Sequence, residues 1–397
     1  MRRRRFLLTA AAFPAILGTR KNLFAADYDL IIRGGRVIDP SQRVDRIADV
    51  AIRGGKIAAV QPEIRETSAE SIDARGKLVV PGLIDIHVHA RDAELPPSEF
   101  LSTGVTSMMD GGSRGADNLE DLLAIARAAP NRLRLLLNIA HLGNNNPGNR
   151  GEFLDGIQAA DVAKCRAAVE RHREWIVGLK ARLSRSIAGD LDLEVLRRAR
   201  QVADPLRIPI MIHIGDTASP LPQILALLRR GDIVSHLYAP PPHGIMDDRG
   251  RVLPQVRAAR RRGVLFDFGN GLTKHWTWEI AESALQQDFP PDTISTDLNL
   301  PGRTDQVFDL PNVLSKFLLM GMPLDQVIAR ATANSARVFR EMKPYGTLRP
   351  GAPADVTLLE LRTGNFEFTD NEKGRRTGRE KLFPYAVVMG GKRAGLS

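Results

Sequence analysis

The stretch PGLIDIHVH, residues 81–89, decides how this chain is read. It is an apolar strand candidate that opens on a Pro-Gly break and closes on two imidazoles, His87 and His89. Residues two apart on a strand face the same side, so both histidines can converge on one metal ion. Seven further segments carry the same strand texture: VTSMMD, LRLLLNIA, WIVGLKA, IPIMIHI, DIVSHLY, VLFDFG and TISTDLN. Amphipathic stretches such as NLEDLLAIARAA, LEVLRRARQVAD, QILALLRR and TWEIAESALQQ separate most of them. Apolar strands joined by helical crossovers predict an α/β architecture, closed as a (β/α)8 TIM barrel over residues 81–342. An open doubly wound sheet wants a Gly-rich phosphate turn after an early strand, and GGSRGADN does not supply G-x-G-x-x-G.

The flanks have a different texture. Residues 27–80 alternate short β runs with Gly turns (YDLIIRGGRVID, ADVAIRGGKIAAVQ, SIDARGKLVV), and RGG occurs twice between strand candidates, as expected for hairpins. Similar runs return over residues 343–397, in YGTLRPGAPADVTLLEL and PYAVVMGGKR. Chain termini often lie close together, so the two pieces predict one small β-sandwich domain built from both ends. At 397 residues the chain accommodates a large barrel plus such a domain.

The start, MRRRRFLLTAAAFPAILG, reads as a secretory signal spanning residues 1–26: a cationic region, then an apolar stretch too short to span a bilayer. RRRFLL resembles the twin-arginine export pattern, with Arg3 and Arg4 as the pair, so an exported, periplasmic protein without a stable membrane anchor is expected. The formal charge is +10, but six basic residues and no acids lie within the first 25 positions, and removing them leaves +4. No basic-aromatic stripe follows, so a nucleic-acid partner is not expected. The only cysteine, Cys165, has no intrachain disulfide partner and sits in the helix-like ADVAKCRAAVERHR, where packing is its expected role. The chain is compatible with a homo-oligomer.

In a (β/α)8 barrel the active site is built at the carboxyl ends of the strands. The fifth strand candidate ends in His213, the sixth contains His236, and the eighth carries Asp297. The fourth, WIVGLKARLS at residues 175–184, places Lys180 at the end of an apolar run, where a charged amine is costly. Lys180 is either a group with a use for burial, a surface lysine, or a partner for a nearby acid. Arg182, two residues on, can share its face and hold a substrate carboxylate, or form a structural salt bridge.

PGLIDIHVH, the strand-end lysine, the two single histidines and the late STD together resemble the amidohydrolase superfamily. VGLKARLS and DTISTDLN narrow that resemblance to a deacetylase-like branch related to dihydroorotases. The resemblance implies two Zn ions: His87 and His89 with Asp297 at one, His213 and His236 at the other, and a carbamate on Lys180 bridging both. It implies hydrolysis of an acyl amide or ester, with Asp297 as the catalytic proton acceptor of a water activated by metals roughly 3.5–4 Å apart. A cyclic-amide hydrolase of dihydroorotase type is the alternative. A periplasmic binding protein or inactive scaffold predicts an eroded ligand set, whereas all six residues are present. No G-x-S-x-G elbow supports a serine hydrolase.

For the substrate, expected to be a small molecule carrying a carboxylate, the candidates are Arg182, Tyr238 on a loop able to cover the site, Asn138 ending the third strand, and Asn270. His141 stays uncommitted, His172 reads as helix surface and His243 as a solvated loop residue. The tryptophans of WTW, beside His275, read as core or lid packing. Two positions depart from the branch, whose members tend to carry histidine where this chain has Asn270 and Asn299.

Overall fold

The computed structural model describes residues 26–90, 94–144 and 151–394. Segment 1–25, with Arg3 and Arg4, lies outside the described residues. The chain opens with β1 (Tyr28–Asp39), β2 (Val44–Arg53) and β3 (Lys56–Gln61), which pair antiparallel. Then β4 (Ser68–Asp73) and β5 (Leu78–Pro81) both pair parallel to β1. The second RGG makes the β2–β3 turn as expected, but the first lies inside β1 as a bulge. There β1 passes from β4 to β5, Gly34 has φ +68°, and a Cβ on Gly35 would lie 2.4 Å from Val79 Cγ2.

Seven apolar runs then form a parallel sheet in chain order: β6 (Leu83–Val88), β7 (Val105–Asp110), β8 (Arg132–Asn138), β9 (Ile176–Arg182), β10 (Ile210–His213), β11 (Ile233–Ser235) and β12 (Leu265–Asp267). Ile84, Met109, Leu136, Val177, Met211 and Ile233 come from six consecutive strands yet share one apolar cluster with Phe339 and Met342. Only a curled sheet can bring them together. The eighth run, TISTDLN, closes the ring without regular strand structure. It bridges Thr293 to Asp267 on one side and Leu298 to Val88 on the other. The Asp297 amide donates to His87 O at 2.7 Å and the Asn270 amide to Ser295 O at 3.1 Å. Asp297 has φ +49°, which interrupts extended pairing at that residue.

The chain returns to the first sheet with β13 (Val356–Thr369), β14 (Arg375–Met389) and β15 (Lys392–Ala394). Antiparallel pairing of β13 with β5 gives one sheet ordered β15-β14-β13-β5-β1-β2-β3, with β4 beside β1. This sheet folds back on itself. Leu30, Val50 and Ile57 share a core with Leu358 and Val388, and the Ala354 amide donates to Gly55 O at 2.9 Å. The tip of the β13–β14 hairpin leaves this domain for the barrel. There Asp370 accepts from the Trp278 amide at 3.0 Å, and Gly374 O accepts from the Trp278 indole at 3.0 Å.

Candidate active site

Six buried side chains from four different strand ends and the closing segment meet at the mouth of the barrel: His87, His89, Lys180, His213, His236 and Asp297. Asp297 Oδ1 lies 3.1 Å from His89 Nε2 and 3.4 Å from His87 Nε2, and its Oδ2 lies 3.9 Å from His236 Nε2. Lys180 Nζ is 2.7 Å from His87 Nε2, and the His213 and His236 rings are 4.2 Å apart. Glycines after β7 make the room. A Cβ on Gly111 would lie 2.3 Å from His87 Cδ2, and one on Gly112 (φ +86°) would lie 2.5 Å from Lys180 Cβ. His236 has φ +67° and Asp297 φ +49°, a backbone cost that non-glycine residues bear mostly where function demands it.

The histidine tautomers are set by neighbours. Ser235 Oγ donates to Asp267 at 2.8 Å and so accepts from His87 Nδ1 at 2.9 Å. Ser113 Oγ donates to Asp110 at 2.7 Å and accepts from His89 Nδ1 at 2.8 Å. His236 Nδ1 donates to Gly269 O at 2.8 Å. Each arrangement leaves an Nε2 lone pair turned to the centre. Burial holds His87, His213 and His236 well below the usual imidazole range, keeping them neutral. Burial also brings the Lys180 amine down to about 8. It pushes Asp297 up, but the imidazoles His87, His89 and His236 more than offset this, so the carboxyl stays ionised. Behind them, burial raises Asp85 to about 7 and Asp267 to about 6. Asp85 accepts from the Thr296 hydroxyl at 2.6 Å, tying β6 to the closing segment.

Neutral imidazoles around an ionised carboxylate are the donor set of a divalent cation. Two groups have ligand atoms all within 4.8 Å of one another: His87, His89 and Asp297; and His213, His236 and His275. His236 Nε2 is buried without a hydrogen-bond partner, as a nitrogen awaiting a metal would be. The residues therefore fit cations at both places. A cavity of about 350 Å³ opens over them, lined also by Arg182, Asn144, Leu272, Thr273 and Asn299. A larger cleft of about 650 Å³ runs past Arg200, Asp232 and Arg337, but there Asp232 is already paired with Arg200 and Asp204 with Arg229. Size alone does not mark the chemistry.

Three of the four expected substrate contacts are turned elsewhere. Tyr238 is fully buried against Phe268 and donates its hydroxyl to Phe289 O at 3.1 Å, so it is a core residue and not a lid. Asn270 accepts from Lys316 Nζ at 2.8 Å and donates to Gly271 O at 2.7 Å. Asn138 donates to Gly112 O and to Glu152, and accepts from the Ala140 amide. Both amides are fully buried and fully engaged, which makes them braces. Arg182 does line the cavity, with one arm donating to buried Glu152 at 2.6 Å. The salt bridge considered for Arg182 is thus formed, and its side chain also borders the cavity. His243 is also not free in solvent, since its Nδ1 donates to Thr217 O at 2.7 Å. The tryptophans Trp276 and Trp278 pack edge to face in the core.

Sequence reasoning missed three residues. His275 joins the histidine cluster from the loop after β12. Glu152 underlies Arg182 and carries no local signal in GEFLDG. Lys316, fully buried in the helix Leu310–Leu319, was visible as a lone charge in NVLSKFLL.

A parallel barrel with histidines, a lysine and an aspartate at its strand ends puts residues that fit metal ions where barrel enzymes carry their active sites. The model of the Amidohydrolase family matches residues 78–377, and the chain belongs to that family. It is a hydrolase acting on carbon–nitrogen bonds, with relatives named deacetylase and dihydroorotase. It is 30% identical over 375 residues to a deacetylase of Enterococcus faecalis, covering 92% of this chain and 99% of the relative. Among solved structures it is similar to one titled an adenine deaminase (TM-score 0.84, 29% identity, 93% of this chain and 100% of that one). A dihydroorotase structure is also similar (TM-score 0.82, 27% identity, 92% and 97%).

Proposed function

We propose that the chain is a binuclear zinc amidohydrolase that removes an acyl group, deacetylase-like, from the amide or ester of a small carboxylate-bearing molecule. The observation that carries this reading is the convergence of two cation-fitting groups on Lys180 and Asp297 beneath one small cavity. The deacetylase-named relative, matched over nearly its whole length, supports the acyl substrate. When bound, the metal ions polarise the substrate carbonyl and lower the pKa of water.

The chain's own residues supply the rest. Asp297, ionised and central, accepts a proton from the attacking water and returns it to the departing nitrogen or oxygen. Burial lowers the Lys180 amine to about 8, which raises its unprotonated fraction, and an unprotonated amine is what adds to carbon dioxide, releasing a proton and leaving a carbamate. Its nitrogen lies 2.7 Å from His87 Nε2, and Lys180 borders the same cavity as His213, which supports a bridging role for such a carboxylate. Arg182, fixed from behind by Glu152, faces the cavity as a seat for a substrate carboxylate. The cavity, about 350 Å³, suits a small-molecule substrate. We also propose export to the periplasm, on the strength of Arg3, Arg4 and the apolar run that follows.

Purified protein is expected to hold close to two equivalents of zinc, and Lys180→Ala to lose metal and activity together. Retention of both metals and full turnover by Lys180→Ala refutes the bridging role. N-acetyl amino acids, acetyl esters of hydroxy acids and cyclic ureides assayed side by side sort the substrate class. Turnover of ureides alone sinks the deacetylase reading in favour of the dihydroorotase type. Export is checked by cell fractionation, with Arg3→Lys and Arg4→Lys together expected to trap the protein in the cytoplasm.

A further inference from the structure

We infer that Asn144 is a specificity-determining residue: its side-chain oxygen accepts a hydrogen bond from the amide N–H of the substrate, so the site selects N-acyl amides over the corresponding esters. The inference rests on the acyl-hydrolase reading above and names the substrate class within it. Asn144 lines the cavity of about 350 Å³ together with Arg182 and members of both cation-fitting groups. Its Oδ1 is buried without a hydrogen-bond partner among the described residues. Asn299, the other side-chain amide lining the cavity, already has its oxygen engaged by the Gly302 amide at 3.1 Å. A buried oxygen left unpaired is costly, and one at the wall of a substrate cavity recovers that cost when a donor arrives.

The donor follows from the chemistry of the substrate. An N-acyl amino acid with an apolar side chain has three polar groups: a carboxylate, a carbonyl and one N–H. The carboxylate suits Arg182 and the carbonyl suits a cation, since both are acceptors. Only the N–H can meet an acceptor such as Asn144 Oδ1. The ester of a hydroxy acid carries an oxygen in place of that N–H and leaves Oδ1 unpaired. A site that hydrogen-bonds a substrate N–H rejects the analogue lacking it. The loop after β8 is fastened so as to present this oxygen. The Asn138 amide donates to Arg114 O at 3.0 Å, the Asp117 amide to His141 O at 2.8 Å, and Asn118 Nδ2 to Leu142 O at 2.7 Å. Gly143 has φ +66°, and a Cβ there would lie 2.6 Å from Arg114 Cα, so backbone passes against backbone just before Asn144.

The test is kcat/KM of zinc-loaded full-length protein for matched pairs, each N-acetyl amino acid set against the acetyl ester of the hydroxy acid with the same skeleton. Comparing amide-to-ester ratios between variants cancels the greater intrinsic reactivity of esters. Asn144→Ala is expected to lower the ratio by about 10-fold or more, as loss of one hydrogen bond in a buried site does. Asn144→Asp keeps an acceptor oxygen at the same reach and should hold the ratio within about threefold of wild type. Asn144→Leu, close in volume and without an acceptor, gives the same readout as alanine if the alanine variant does not fold. An unchanged ratio in the alanine or leucine variant overturns the inference even if turnover falls, because a merely structural residue affects both substrates alike. A ratio that falls as far in Asn144→Asp overturns it too. A wild type that hydrolyses the esters and leaves the amides untouched overturns the inference while the acyl-hydrolase reading stands. A wild type that hydrolyses no acyl amide or ester overturns that reading, and this inference with it.

Discussion

Ser235→Ala puts the strongest quantitative demand on this site. The hydroxyl accepts from His87 Nδ1 at 2.9 Å and donates to Asp267 at 2.8 Å, so it passes the pull of a buried carboxylate to the imidazole. Without it, His87 Nδ1–H has no acceptor, and the tautomer that exposes Nε2 loses its preference. Asp267 keeps the Thr293 and Ser295 hydroxyls at 2.8 and 2.6 Å, so the local fold should survive. Groups that orient a metal-bound histidine are worth about 10–100-fold in affinity, or about 1.4–2.7 kcal/mol. Ser113→Ala should cost the same through His89, since Ser113 joins that ring to Asp110 by an equivalent pair of bonds. The two relays end on one cation site and on the same Asp297 oxygen, so their effects should couple and the double variant should depart from the simple sum of about 2.7–5.4 kcal/mol. Equilibrium competition with a fluorescent zinc chelator reads the affinity, and thermal melts of metal-free protein check the fold. A Ser235→Ala protein that holds zinc within about threefold of wild type would falsify the relay, since even its lower bound is about tenfold.

Three other perturbations separate the braces from the chemistry. Tyr238→Phe removes only the bond to Phe289 O, so about 1 kcal/mol of stability should go while KM stays put; a raised KM returns Tyr238 to the site. Glu152→Ala unpairs Arg182 and frees Asn138, and should cost about 2–4 kcal/mol in urea denaturation; under about 0.5 kcal/mol, the ion pair does no structural work. Lys316 is brought by burial from 10.5 to about 7, so between those values the unfolded chain binds a proton there that the native chain does not. Stability should therefore fall by about 2 kcal/mol from pH 9 to pH 7, and this slope should vanish in Lys316→Met; parallel curves refute it.

The barrel and the side chains that converge at its mouth were legible because strand-end placement is a local signal: an apolar run followed by a histidine, lysine or aspartate. His87, His89, Lys180, His213, His236 and Asp297 were all named on that basis. Loop residues were not legible in this way. Tyr238 follows a strand-end histidine, but whether its ring points to solvent or core depends on Phe268 and Phe289, distant in sequence. Asn138 and Asn270 are polar at plausible places, yet each is consumed by a partner far along the chain, Glu152 or Lys316. His275 escaped notice for the complementary reason. Its approach depends on Gly271 and on Asn371, 96 residues later and in the other domain. The bulge at Gly34-Gly35 was read as a hairpin because a glycine pair signals a change of direction without saying whether the chain turns or a strand changes partner.

That reach of Asn371 across domains has a consequence for the order in which the protein becomes whole. The six barrel-mouth residues have all been synthesised once residue 297 is made, but the clamp on the His275 loop arrives with residues 370–374. A nascent or truncated chain ending before this tip carries all six barrel-mouth residues and still leaves the loop unfastened. The loop beside the barrel-mouth cluster is therefore fastened only by the last stretch of chain to be translated.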